Sequence, residues 1–313
     1  MKFKLLFLLF CLTLPMFLNA VNEDAGTSGF AFMKIKYSAR AAGMAEAFTG
    51  VADDADAPFY NPAGMFQIDR KETQVTYMNY FDGFNGGSAS YIHPLNKKIT
   101  LAAFSQFMGV SGINKTSYID NEIVHEGEFG VSELMFGLGT SYYFKQVIKF
   151  GANIKYMYEG IDSKTATAFA FDFGIHHQTT NEDLTVGAVI QNLGKQLGYF
   201  TEAEEEIKLP VTASVGFNYT GFENLLLALD IYRPLDMDFS GRLGIEWKAH
   251  QMFAVRGGYK SNASDWRTGD DLEFLSGASF GASFYKDKYQ IDYAISAYGE
   301  LGLINQISLK YHF

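Results

Sequence analysis

In the last eleven residues, LINQISLKYHF, polar and apolar positions alternate without a break from Gln306 to Phe313. Leu303, Ile307, Leu309, Tyr311 and Phe313 fall on one side, and Gln306, Ser308, Lys310 and His312 on the other. Side chains alternate across a β-strand, so this pattern predicts a strand with one greasy and one polar face, carried to the final residue. The same period of two runs through Tyr289 to Ser296, Phe239 to Lys248, Leu225 to Ile231 (with Leu226 off the pattern) and Phe169 to His176. Agreement of five segments on one period makes strands the dominant element.

Extending the count predicts about fourteen strands, near 72–81, 87–93, 98–108, 132–146, 148–159, 165–177, 184–192, 210–219, 223–233, 237–249, 251–260, 271–286, 288–299 and 303–313. Connections after even-numbered strands are short, as at Pro94 to Lys97, Ala249-His250 and Asp287, whereas the long ones (109–131, 193–209, 261–270) follow odd-numbered strands. An even strand count with short turns at one end and long loops at the other is the pattern of a transmembrane β-barrel. The third strand is the exception, since Phe104 and Phe107 share a face only across a bulge.

Composition sharpens this reading. Aromatics make up 16% of the chain, with 29 Phe and 19 Tyr, yet mean hydropathy is −0.04. Alternating strands give this profile, because each greasy residue is averaged against a polar neighbour. Residues 1–20 read as a cleaved export leader, with Lys2 and Lys4 ahead of the apolar run Leu5 to Leu18 and a cleavage site at Leu18-Asn19-Ala20. Cleavage removes two of the 25 basic residues and none of the 35 acidic ones, so the net charge becomes 23 − 35 = −12. It also removes Cys11, the only cysteine, so no disulfide, thiol nucleophile or cysteine metal site is expected. An acidic chain argues against a nucleic-acid partner.

Between leader and strands, Ser38 to Met65 reads SARAAGMAEAFTGVADDADAPFYNPAGM. Its alanine-rich start predicts two or three helical turns from Ala39 to Phe48, capped by Ser38. Gly50, Asp53-Asp54 and Asn61-Pro62 then break it. So small and apolar a segment builds no core of its own, so its place is inside the barrel. Proline at 62 and glycine at 64 fix a turn, and the Asn61 amide is expected to tie it to lumenal charges such as Arg242 or Arg256.

Strand parity assigns Lys155, Asp172, Asp230, Arg242, Glu246, Arg256, Asp292 and Lys310 to the lumen. They form either a charged path and a lock on the plug, or mixed charges that pair inside a wet barrel. Asp53 and Asp54 with Asn61 have the oxygens of a calcium ligand set, but capping and turning the plug backbone is the favoured role; no metal and no cofactor is expected. Asp172 and His176 share a face, yet four residues along a strand separate them by about 13 Å, too far for a hydrolytic pair. An enzyme is not expected.

The Ser38–Met65 stretch, with YNPAG as its most specific element, resembles the PorV/PorQ family, relatives of the FadL-type outer-membrane transporters. The likeness continues in VGAVIQNLG (186–194), LPVTASVGFNY (209–219) and GRLGIEWKAHQMFAVRGGY (241–259). It implies an all-β, about fourteen-stranded antiparallel transmembrane barrel in the outer membrane, with an N-terminal hatch in the lumen. Leader 1–20, hatch 21–70 and barrel 71–313 then divide the chain, and Arg40, Asp53, Asp54, Asn61, Pro62, Ala63 and Gly64 are its hatch-motif residues. The terminal Tyr311 and Phe313 resemble the signal by which such barrels are recognised for insertion. The implied partners are outer-membrane lipid, the barrel-assembly machinery and a hydrophobic small molecule, such as a fatty acid or hydrocarbon, in passive passage. The alternative is a component of a type IX secretion system that binds exported cargo or partner proteins. The third-strand irregularity favours the carrier.

Overall fold

A computed structural model describes residues 25–119, 122–144, 148–202, 207–262 and 275–313. The expected leader, the tip of the acidic run at Glu204 to Glu206, and most of the connection at 261–270 lie outside the described residues. Fourteen strands form one closed barrel in which each pairs with its sequence neighbours and β1 closes on β14. They are β1 Glu72–Asn79, β2 Asn85–Pro94, β3 Ile99–Ile119, β4 Glu122–Phe144, β5 Ile148–Ile161, β6 Lys164–Gln178 and β7 Leu184–Gly198. The second half comprises β8 Thr212–Phe222, β9 Leu225–Pro234, β10 Ser240–His250, β11 Phe253–Lys260, β12 Ala278–Lys286, β13 Tyr289–Ala297 and β14 Leu303–His312. The closing register sets Val75 against Leu309 and Tyr77 against Ile307, all four facing outward.

The predicted faces hold. Phe136, Leu138, Phe171, Phe173, Tyr293, Ile307 and Leu309 are exposed on the outer surface, while Asp172, Asp292, Gln306, Ser308 and Lys310 turn inward and are buried. Leu226, off the pattern, faces the lumen and packs on the inner apolar cluster. Its neighbours Leu227 and Leu229 face outward but are covered by Tyr219, Phe217 and Leu243.

Three expectations need correction. Phe104 points inward against Phe59, with ring centroids 5.1 Å apart, and Phe107 points outward. Pairing with β4 is regular from Ile99 to Val110, and the register shifts lie beyond it, at Val110/Ile113 and Lys115/Thr116. An inward aromatic over Gly137 removes the need for a bulge, and with it the argument drawn from that irregularity. Next, much of the long connection expected at 109–131 is strand. β2 begins opposite Gly109 and β5 ends opposite Val131, so β3 and β4 continue beyond the rim as a two-stranded ribbon. Thr116, Tyr118, Ile119, Ile123 and Val124 supply the strand-forming side chains. Likewise β7 runs on to Gly198, into the connection expected at 193–209.

Finally, the helix expected over 39–48 is a single turn. We label it α1, Ala39–Ala42, and the second short helix α2, Ala57–Tyr60. Ser38 does cap α1, its hydroxyl accepting from the Ala41 N–H. Beyond Gly43 the backbone turns left-handed at Ala45 and Glu46 (φ 52° and 60°), so helix propensity yields to the path along the wall. Residues 36–65 are almost continuously buried inside the barrel. Fourteen strands enclose more space than their own side chains fill, and this segment supplies the missing core.

Candidate functional site

The N-terminal segment crosses the half of the lumen nearest the short turns. Its most specific turn is built by Asn61: its side-chain oxygen accepts from the Ala63 N–H (3.1 Å), starting a 3-10 helix over Pro62–Gln67. The amide nitrogen donates to the Thr49 and Ile175 carbonyls, both at 3.1 Å. The turn is therefore tied to backbone, not to Arg242 or Arg256 as expected from the sequence. A primary amide matches two carbonyls as donor and one N–H as acceptor. The wall is shaped for this approach: a Cβ on Gly151 would collide with Pro62 and Ala63, and one on Gly174 with the Asn61 side chain.

Every charge assigned to the lumen faces it, and six of the eight join two networks. In the first, the Arg40 guanidinium grips Glu246 with two hydrogen bonds (2.8 and 3.0 Å) and also reaches Asp53 (2.5 Å) and Asp54 (3.0 Å). Glu246 is shared with Arg256 (2.5 Å), which contacts Asp292 (3.2 Å), and Lys310 closes on Asp54 (2.7 Å). Planar bidentate pairing of this kind fixes orientation as well as charge. In the second, Lys155 meets Asp172 at 2.6 Å and also binds the Asn192 side chain. Asn192 sits left-handed (φ 63°) at the register shift between β6 and β7, where its N–H donates to Asp172. Asp230 instead accepts the Phe48 and Thr49 N–H groups at 3.0 and 2.8 Å.

Asp53 and Asp54 thus serve as acceptors for Arg40 and Lys310. Asp54 also accepts the Asp56 N–H, the turn role expected of it, while Asn61 lies with different partners. Burial alone would raise the Asp54 carboxyl, but Lys310 and Arg40 outweigh it and hold it well below the usual range. Burial, with the Asp54 charge beside it, pushes Asp56 up to about 8, and Gln74 is its hydrogen-bond donor. His176 contacts the Gly50 carbonyl at 3.1 Å, away from Asp172. Tyr311 and Phe313 pack edge-to-face, 4.9 Å between centroids, with Phe313 exposed on the outer surface.

Several residues of the site were not singled out from the sequence. Glu46 accepts from Lys260 (2.8 Å) and Arg242 (3.1 Å), binding the segment to β10 and β11. Lys260 has the parity of Arg256 and was legible on that ground. Glu46 was hidden inside a stretch read as helix. Lys36 donates to the Phe59 carbonyl (2.8 Å) and Gln191 (3.1 Å), and burial, then the Lys155 charge, lowers it to about 7.

Above this floor, towards the long ribbon, lies a cavity of about 480 Å³. Phe32, Ile35, Met78, Phe81, Phe84 and Met108 give it apolar walls, and Lys36, Glu46, Arg242 and Lys260 mark its polar side. Pockets of this size, mostly apolar with a few convergent polar groups, suit small ligands.

No protein-family model matches the sequence, and no curated protein matches it. Among solved structures, the chain resembles TodX, a toluene transporter of Pseudomonas putida, with a TM-score of 0.59 at 14% identity over 88% of this chain and 96% of that one. The toluene transporter TbuX of Ralstonia pickettii gives 0.59 at 12% identity, covering 89% and 98%. A TodX variant described as a monoaromatic hydrocarbon channel gives 0.62 at 13% identity, covering 89% and 99%. At these identities the likeness is one of fold. The PorV/PorQ resemblance continues to rest on the sequence motifs.

Proposed function

We propose that this chain is an outer-membrane barrel of FadL-like type that lets small hydrophobic molecules pass, with residues 25–70 as its hatch. The observation that carries this reading is the closed lumen itself: a buried segment stops it, and an apolar cavity sits directly on the stopper. An open pore would serve hydrophilic solutes, whereas a stopper under a greasy pocket favours solutes that shed water on entry. The outer band of Phe, Leu, Ile and Tyr supports a bilayer setting, since a closed barrel leaves no backbone group unpaired in lipid. Tyr311 and Phe313 at the closing strand suit recognition by an assembly machinery, and the leader suits export.

The fold likeness to toluene transporters adds to this reading. The secretion alternative has one feature in its favour: the β3–β4 ribbon ends in exposed Tyr118 and Ile123, 71% and 69% exposed, which offer a surface to another protein. The test is uptake of radiolabelled toluene and laurate by cells with and without the chain. Faster uptake of either probe, with sucrose entry unchanged, is expected. Equal uptake of both probes in the two strains would remove the carrier reading and leave the ribbon as the better guide.

A further inference from the structure

On the inner wall at the cavity's upper end, Glu133 of β4 stands directly opposite Glu159 of β5. Both have inward parity, and Glu133 lines the cavity. Like charges directly opposite on one face destabilise a strand pair, and water is scarce here: Glu159 is only 9% exposed, and the Glu133 Oε2 atom is buried without a hydrogen-bond partner. Among the described residues, neither carboxylate forms an ion pair. The backbone N–H of Phe30, a non-glycine residue held left-handed at φ 53°, stands as donor beside Glu159.

The cations across the cavity have acceptors of their own. Lys34 is on Asp236, Arg242 and Lys260 on Glu46, and Lys36 on Phe59 and Gln191. The carboxylate pair, with Glu133 on the cavity wall and Glu159 beside it, is therefore a negative site that no cation among the described residues pairs with.

A second, independent feature points the same way. Tyr37 is fully buried, yet its hydroxyl has no partner among the described residues. That hydroxyl lies over Gly86, in the same rung of the barrel as the pair: Gly86 faces Met108, and Met108 faces Glu133. It is close enough for the Glu133 charge to act on it. Phe32, Tyr80, Phe81 and Phe84 complete the surroundings. Anionic oxygens backed by aromatic faces are the chemistry that recognises an organic ammonium, by charge on one side and ring quadrupoles on the other.

We propose that Glu133 and Glu159 bind the positively charged nitrogen of a hydrophobic ammonium compound, with the aromatic and methionine walls taking its apolar body. The proposal rests on the carrier reading and narrows its ligand class. A methionine-lined wall adapts to bodies of different shape, whereas the carboxylate pair is a fixed element that demands charge.

The test uses purified full-length protein in detergent and two isosteric probes: benzyltrimethylammonium and neopentylbenzene, which differ in a nitrogen cation replacing a carbon. Equilibrium dialysis should give at least about tenfold tighter binding of the cation, the scale of one charge-assisted contact. In the double variant Glu133→Gln, Glu159→Gln that preference should vanish while neopentylbenzene binding stays. A cation preference that survives in the variant overturns the assignment to these residues. Equal binding of both probes by the native protein overturns the proposal without touching the carrier reading, and needs no variant at all. Binding of neither probe removes the carrier reading with it. Calcium chloride that binds through the two glutamates while the ammonium does not would make the pair a metal site and overturn the proposal as well.

Discussion

Single atoms decide how the N-terminal segment seats. Gly174 is the clearest case, because the Asn61 side chain occupies the space its Cβ would need. Gly174→Val should leave the strand pairing intact, since valine favours strands, but push the Asn61-Pro62-Ala63 turn off the wall. The expected result is an inserted barrel whose residues 25–68 become cleavable by added protease, against a resistant native form. The same fragment pattern in both would mean that the wall yields instead. The Asp54–Lys310 pair offers a second test. Both side chains are buried, so Lys310→Met leaves Asp54 with Arg40 as its remaining cation and should cost up to about 3–5 kcal/mol, the loss for a broken buried pair. Adding Asp54→Asn to it should recover a good part of that loss. Denaturant titration of the three forms reads the difference, and an additive double variant would show that the two residues act independently.

At the scale of elements, parity did most of the work, and its limits are informative. A period of two states which face a residue takes but not where a strand stops. β3 and β4 therefore continue far past the predicted ends, because loop composition and a free ribbon look alike in sequence. Parity also placed Arg242, Arg256 and Lys310 correctly, while their partners on the N-terminal segment followed no period. Glu46 sits in an alanine-rich stretch whose helix propensity misled: Met44 and Ala45 lie against Gly258, and Glu46 pairs with Lys260. The Phe104/Phe107 puzzle arose from assuming that aromatics belong outside; a lumen with a greasy occupant can take one inside. The outward face itself can be tested at mid-height on β14. Ile307, 48% exposed and opposite both Tyr77 and Tyr293, should not tolerate arginine: Ile307→Arg is expected to cost about 2–4 kcal/mol in a bilayer. Folded yield in lipid vesicles measures it, and a yield equal to the native protein's would contradict the lipid-facing assignment.

For the molecule as a whole, closure predicts resistance. Every strand has two neighbours, so there is no edge at which detergent can begin to unravel the sheet. The purified protein should migrate differently on a gel before and after boiling; a single mobility would speak against a closed barrel. Removing residues 39–65 should leave a barrel that still inserts but conducts. Single-channel recordings in planar bilayers are expected to show a clear rise over the intact protein, and an inserted deletion form that stays silent would dismiss the plug.

The charged ties of the N-terminal segment also set an order of events. Arg40 waits for Glu246, 206 residues away, and Asp54 for Lys310, 256 residues away, while the Ala39 N–H finds its acceptor in Ser308, 269 residues on. Contacts this distant in the chain close large loops and form late. The segment ahead of β1, made early, is thus among the last to settle, and until β14 arrives its cations and carboxylates must stay in water. A chain stopped after β9 should keep its N-terminal segment open to proteases however well its early hairpins have formed.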